Sequence, residues 1–146
     1  MIFRSLAFSL LLSLLPAHAA DLVTRPGAVG HRDFRHAKQV LPKVYAGLES
    51  TFYCGCRYRG KSIDFSSCSS QVRKDARRGS RQEWEHVVPA WVIGHQRQCL
   101  QRGGRKHCAA VDPVFRKAEG DLVNLVPVIG EINADRSNFR YAVWAD

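Results

Sequence analysis

The spacing of apolar and polar positions divides the chain into short elements separated by polar, glycine- and cysteine-rich stretches. The first twenty residues stand apart. A short segment carrying Arg4 precedes an uncharged apolar run from Leu6 to Leu15, and Ala17-His18-Ala19 follows. This is the layout of a secretory signal peptide over residues 1–19, too short in its apolar run to span a bilayer. Residues 20–33 hold Pro, Gly and mixed polar side chains and predict an extended leader. From Phe34 the apolar positions Phe34, Ala37, Val40, Leu41, Val44, Tyr45 and Leu48 recur at helical spacing. They predict an amphipathic helix that Pro42 kinks or splits.

Residues 51–64, with Gly55, Gly60 and short aromatic runs, predict a hairpin-like element held by cysteines. Residues 66–80 are polar and basic and show no core periodicity. A short strand-like run covers 84–88, Pro89 ends it, and 90–98 can form a short helix. Residues 101–107 read as a glycine-rich basic loop. Asp112-Pro113 opens a helix that Gly120 closes. A second apolar run covers 122–129, interrupted by Asn124 and Pro127, and Asn133 falls on what can be the first turn of a following helix. The expected class is α+β, mainly helical with a small sheet, in one domain over residues 34–146.

Charge narrows the range of partners. The chain carries 22 Lys and Arg against 13 Asp and Glu, a formal net charge of +9. Such a chain suits a polyanion. The charge gathers in two stretches that flank the 84–88 run. Arg57, Arg59, Lys61, Arg73, Lys74, Arg77, Arg78 and Arg81 form one, and Arg97, Arg102, Arg105, Lys106 and His107 the other. Five cysteines, Cys54, Cys56, Cys68, Cys99 and Cys108, fit a disulfide framework in an exported protein. Cys54 and Cys56 are too close to pair comfortably with each other. Cys99 and Cys108 bracket the basic loop and form one candidate pair. The spacings do not match common zinc-binding patterns.

Within the strand-like run, Glu85 and His86 are the candidates for chemistry. An imidazole titrates near working pH and can serve as a general base, and a neighbouring carboxylate suits a hard cation. Asn124 and Asn133 add weight. A buried amide needs partners, and its carbonyl oxygen is a neutral ligand for a hard ion. For Asn124 the alternative is plain turn geometry ahead of Pro127.

Two long segments carry a specific resemblance. Glu83-Trp-Glu-His-Val-Val-Pro-Ala-Trp, followed by Gly120-Asp-Leu-Val-Asn-Leu-Val-Pro-Val-Ile-Gly-Glu-Ile-Asn-Ala-Asp-Arg-Ser-Asn-Phe, resembles the bacterial endonuclease I family. Tyr53-Cys-Gly-Cys belongs to the same similarity, which runs from about Phe34 to Tyr141. These are periplasmic or secreted nucleases with a ββα-metal (His-Me finger) motif. The resemblance implies His86 as the general base on water and Glu85 and Asn133 as ligands of one Mg²⁺, with Ca²⁺ or Mn²⁺ as alternatives. It implies Arg105 on the scissile phosphate and Asn124 as a supporting residue. Arg81, Arg102, Lys106 and Arg136 are further candidates for nucleic-acid contact. The implied substrate is DNA, and also RNA, cut with little sequence preference by a monomer not attached to a membrane. Family members continue well past the Arg-Ser-Asn-Phe segment, with further helices and cysteines. That and the odd cysteine lead us to expect a fold that is incomplete at its C-terminal end. The competing readings are a basic module that binds DNA without cutting it and an inactive truncated relative.

Overall fold

The structure is a computed structural model and describes residues 32–141. The expected signal peptide and almost all of the expected leader lie outside the described residues. Asp33 lies next to the start of the described residues. Its side chain accepts from the His36 backbone N–H at 2.7 Å and caps helix α1, Phe34–Val44. Pro42 does not split this helix. It sits in the last turn, and Tyr45 N–H closes onto the Leu41 carbonyl at 2.9 Å.

Strands β1 (Arg57–Arg59) and β2 (Ser62–Asp64) form the expected hairpin, with Tyr58 opposite Ile63. Gly60, at φ 59°, takes the left-handed turn between them. A short turn, α2 (Ala76–Gly79), leads into β3 (Gln82–His86). Helices α3 (Ala90–Gly94), α4 (Gln98–Val111) and α5 (Pro113–Glu119) follow. A 3-10 turn, Leu122–Asn124, then feeds β4 (Leu125–Ile129), and α6 (Gly130–Arg136) starts at the next residue. Among the described residues the architecture is therefore α+β, with two separate two-stranded antiparallel sheets.

One expectation is overturned. Residues 101–107 do not form a loop. They belong to α4, which is interrupted at Gly104 (φ 70°, ψ −174°). The glycine marks a break in the helix and not the absence of one. The disulfide Cys99–Cys108 spans that break, as the candidate pairing anticipates. The second disulfide joins Cys56 to Cys68, and Cys54 is left as a free thiol.

The core comes in three patches. Leu41, Ala37 and Leu125 pack α1 against β4, with Trp84 and Tyr45 at the margin. Cys56, Tyr58, Ile63 and Ile129 join the hairpin to the end of β4. Phe115, Cys108 and Ala90 join α3, α4 and α5. The polar stretch at 66–80 has no core periodicity because a buried anion holds it in place of apolar side chains. The Glu131 carboxylate accepts from the backbone N–H groups of Arg73 (3.0 Å), Lys74 (2.5 Å) and Asp75 (3.0 Å).

Those three bonds, led by the one from Arg73, hold the Glu131 carboxyl below its usual pKa. A carboxyl with a lowered folded pKa stabilises fully above its unfolded value, and the contribution is lost as the pH falls toward the folded value. Glu131→Gln should therefore lower the thermal midpoint at pH 7. The gap to the native protein should narrow below about pH 4, because the native carboxylate then becomes protonated. Unfolding followed by circular dichroism from pH 7 to pH 3 measures both effects.

Candidate active site

The site lies where β3 ends. The β3–β4 ladder pairs Gln82 with Ile129, Glu85 with Val126 and His86 with Leu125. The chain passes from β4 straight into α6, so that helix is delivered beside β3. Gly130 makes the junction tight. Its N–H donates to the Arg81 carbonyl at 2.9 Å, and a Cβ there would lie 2.7 Å from the Glu83 carboxylate. Beyond His86 the backbone bends, and Asn124 holds the bend. Its Oδ1 accepts from Val88 N–H at 2.7 Å, and its Nδ2 donates to the Val88 carbonyl at 3.0 Å. The Asn124 carbonyl accepts from Val87 N–H at 3.0 Å. The amide in the apolar run is thus satisfied by the segment that follows His86.

His86 is 7% exposed. Its Nε2 lies 2.8 Å from the Glu119 backbone carbonyl. A carbonyl only accepts, so Nε2 carries the hydrogen and Nδ1 keeps the lone pair. The Phe34 ring packs on the imidazole, with centroids 4.7 Å apart. Burial brings the His86 pKa down to about 4, and the carbonyl partner offsets only part of that. The ring is therefore neutral near pH 7 and can accept a proton at Nδ1.

Glu85 is 2% exposed. Its Oε1 pairs with Arg136 Nη1 at 2.9 Å and accepts from the Tyr53 hydroxyl at 3.4 Å. Burial pushes its pKa up, and Arg136 and Tyr53 pull it only part of the way back. Asn133, from α6, donates its Nδ2 to Glu83 Oε2 at 3.1 Å, which leaves its Oδ1 free of any partner among the described residues. Glu83 also accepts from Arg78 (Nε 3.1 Å, Nη2 2.5 Å) and Arg81 (Nε 2.9 Å, Nη2 2.6 Å). Burial pushes Glu83 up, but these two guanidinium groups outweigh it and hold the carboxyl below its usual range.

Glu85, His86, Asn133 and Arg105 line one cavity of about 940 Å³, together with Phe34, Trp91 and Arg136. Among the oxygens of the lining residues, the second carboxylate oxygen of Glu85 and the amide oxygen of Asn133 have no partner among the described residues. One anionic and one neutral oxygen fit a hard divalent ion such as Mg²⁺ or Ca²⁺. Arg105 reaches the cavity from the break in α4. Its Nε pairs with the Glu119 carboxylate, and its guanidinium lies over the Phe34 ring at 5.1 Å. Its two terminal nitrogens have no partner among the described residues and remain free for an anion.

The other basic candidates divide. Arg81 lines the cavity but is committed to Glu83. Arg102 and Lys106 are exposed on α4 and outside the cavity lining. Arg136 turns inward. Besides Glu85 it donates from Nη1 to the His86 carbonyl at 2.8 Å and from Nη2 to the Val87 carbonyl. Its side chain is 11% exposed, so it braces the site where a surface phosphate contact was expected. Glu119, Glu83 and Tyr53 were not singled out from the sequence. Glu119 acts on His86 through a backbone carbonyl, which leaves no trace in residue type. The hub at Glu83 did have a signal, a carboxylate preceded by Arg78 and Arg81, five and two residues before it.

Removing Arg136 leaves the buried Glu85 carboxylate without its cation and the carbonyls of His86 and Val87 without the guanidinium donor. Arg136→Leu should cost about 3 kcal/mol or more in urea unfolding of the oxidised protein. Arg136→Lys, which keeps the charge but not the planar fork, should recover part of that loss.

Comparison with known proteins identifies the family. The sequence profile described as Endonuclease I matches residues 34–146. An extracellular deoxyribonuclease of Aeromonas hydrophila is 50% identical over 135 residues, covering 90% of this chain and 58% of that protein. A periplasmic deoxyribonuclease of the same species is 49% identical over 138 residues, 91% of this chain and 58% of its own length. Endonuclease-1 of Buchnera aphidicola subsp. Baizongia pistaciae is 47% identical over 115 residues, 76% of this chain and 46% of the relative. The chain thus spans about half the length of the curated relatives it matches. With a profile match that takes in the cavity and every element around it, the chain belongs to the endonuclease I family.

Proposed function

We propose that this protein is an exported, metal-dependent endonuclease that hydrolyses DNA phosphodiester bonds with little regard to sequence. The observation that carries this reading is the buried His86. Its Nε2–H is fixed on the Glu119 carbonyl, its Nδ1 has no partner among the described residues, and it lines one cavity with Glu85, Asn133 and Arg105. The relatives named extracellular and periplasmic deoxyribonucleases support both the substrate and the export. The two disulfides fit an oxidising compartment. The succession β3, β4, α6 is read as a ββα-metal finger, in which the base comes from a strand end and the ion ligands from strand and helix.

Each side chain takes one task. His86 Nδ1 removes the proton from the attacking water. The terminal nitrogens of Arg105 hold a non-bridging phosphate oxygen and match the charge that builds there. Glu85 and Asn133 hold the cation. When bound, a divalent ion supplies positive charge to the leaving oxygen. Contacts of this kind address the phosphate and carry no sequence information. RNA offers the same phosphate and is an expected secondary substrate.

Nicking of supercoiled plasmid tests the reading. The native protein should nick with Mg²⁺ and stop with EDTA, and His86→Ala should lose about 10²-fold or more in rate. Nicking that persists in EDTA or in the His86 variant overturns the mechanism. Binding without any nicking favours a DNA-binding module.

Arg105 and Arg73 give a second test. Arg73 is paired with Asp135 on the far side of α6, whereas Arg105 has free donors at the cavity. Arg105→Ala should slow cleavage by about 10²-fold, in the range for removing one donor to a developing oxyanion. Arg73→Ala should change it by less than about threefold, as for a surface ion pair. Equal losses would assign Arg105 to a diffuse basic field.

A further inference from the structure

One feature of the cavity wall is not used by the proposed chemistry. Helix α3 buries Ala90 and Gly94 against Phe115 and Leu100, so closely that a Cβ on Gly94 would come within 2.5 Å of the Phe115 ring. That packing sends the opposite face of the helix outward. On it lie Trp91 and, four residues on, His95. Their rings are stacked, with centroids 4.5 Å apart and planes inclined by 15°. His95 is itself fixed, since its Nδ1–H donates to the Val92 carbonyl at 3.0 Å. Trp91 is 47% exposed and lines the same cavity as His86, five residues after it in sequence.

An indole that is backed by a second ring and open on its cavity side has the form of a stacking platform. The cavity also holds Arg35, Lys38 and Arg105, a cationic track for a sugar-phosphate backbone. Flat aromatic faces beside a basic groove are how proteins take up unpaired bases, because every base has a π-face whatever its identity. In a duplex the base faces are already stacked on each other, so the platform has nothing to gain there.

We propose that Trp91, backed by His95, is a nucleobase subsite that receives an unpaired base next to the phosphate held at Arg105 and thereby favours single-stranded polynucleotide. The proposal rests on the nuclease reading for the placement of the phosphate, but its test does not depend on cleavage.

The test is a binding titration in the His86→Ala background, which keeps the probe intact. The probes are a single-stranded oligothymidylate and a duplex of the same length, read by tryptophan fluorescence and by anisotropy of a labelled strand. Adding the single strand should quench emission. Trp91→Ala should abolish that part of the quench and weaken single-strand binding about tenfold, a typical loss for one base-aromatic stack. Duplex binding should change by less than about twofold, which salt-dependent phosphate contacts alone sustain. Trp91→Phe keeps a ring and should retain most of the affinity, whereas Trp91→Leu keeps bulk without a π-face and should behave like Ala. An unchanged single-strand affinity in Trp91→Ala, equal losses on the two probes, or a leucine variant as good as phenylalanine overturns the subsite. If the native protein nicks plasmid but Trp91 has no such effect, the subsite alone fails. If Trp91 governs single-strand binding and nothing is cut, the nuclease reading fails and the subsite stands.

Discussion

The structure depends on the antiparallel register of β3 and β4. Five residue pairs fix strands about forty residues apart in sequence, and Glu85 and His86 fall on the last two of them. A slip of one residue would exchange the faces on which alternate side chains stand. It would also displace α6, which begins at the residue after β4. Register is pinned from several sides. Leu125 is fully buried against α1, Ile129 joins the hairpin's core, and Asn124 grips Val88 just beyond His86. Apolar packing and one amide therefore set the geometry of groups that themselves contribute little to the core.

Around that ladder the fold is held by buried carboxylates to an unusual degree. Glu83, Glu85, Glu119 and Glu131 all lie inside or nearly so, and each is matched by guanidinium or backbone N–H donors. A buried anion is tolerable only when paired. The strongly basic composition is therefore not all surface charge for a polyanionic partner. Arg78, Arg81 and Arg136 neutralise acids within the protein, while Arg105 serves an internal acid with one nitrogen and keeps two for the cavity.

How much of this could be read from the sequence varies by element, for physical reasons. The helix at 113–119 was plain because its capping Asp112, its leading proline and its closing Gly120 are all local. The hairpin and the Cys99–Cys108 bridge were likewise marked by short-range signals. Residues 101–107 were misread because two adjacent glycines and a run of cations have loop-like composition, while the helix that contains them is held by a disulfide and by packing on α5. The structure brings His86, Asn133 and Arg105 to one cavity from three separate elements, a convergence that their spacing along the chain does not disclose. Composition alone gave only a weak pair at 85–86. The inward turn of Arg136 was not legible, since its partners come from a strand fifty residues earlier and nothing near it in the chain signals them. The Cys56–Cys68 pairing was likewise left open, because Cys54 lies only two residues from Cys56.

Arg136 also bears on the shape of the sheet. The carbonyls of His86 and Val87, at the end of β3, are the kind of acceptors that a third strand would normally satisfy. Here a single guanidinium does so, from the tip of a side chain. The sheet can stop at two strands without leaving those oxygens dry. Trp84, Glu85 and His86 of β3 line the cavity. A narrow sheet closed by one arginine thus ends beside the cavity that His86 lines.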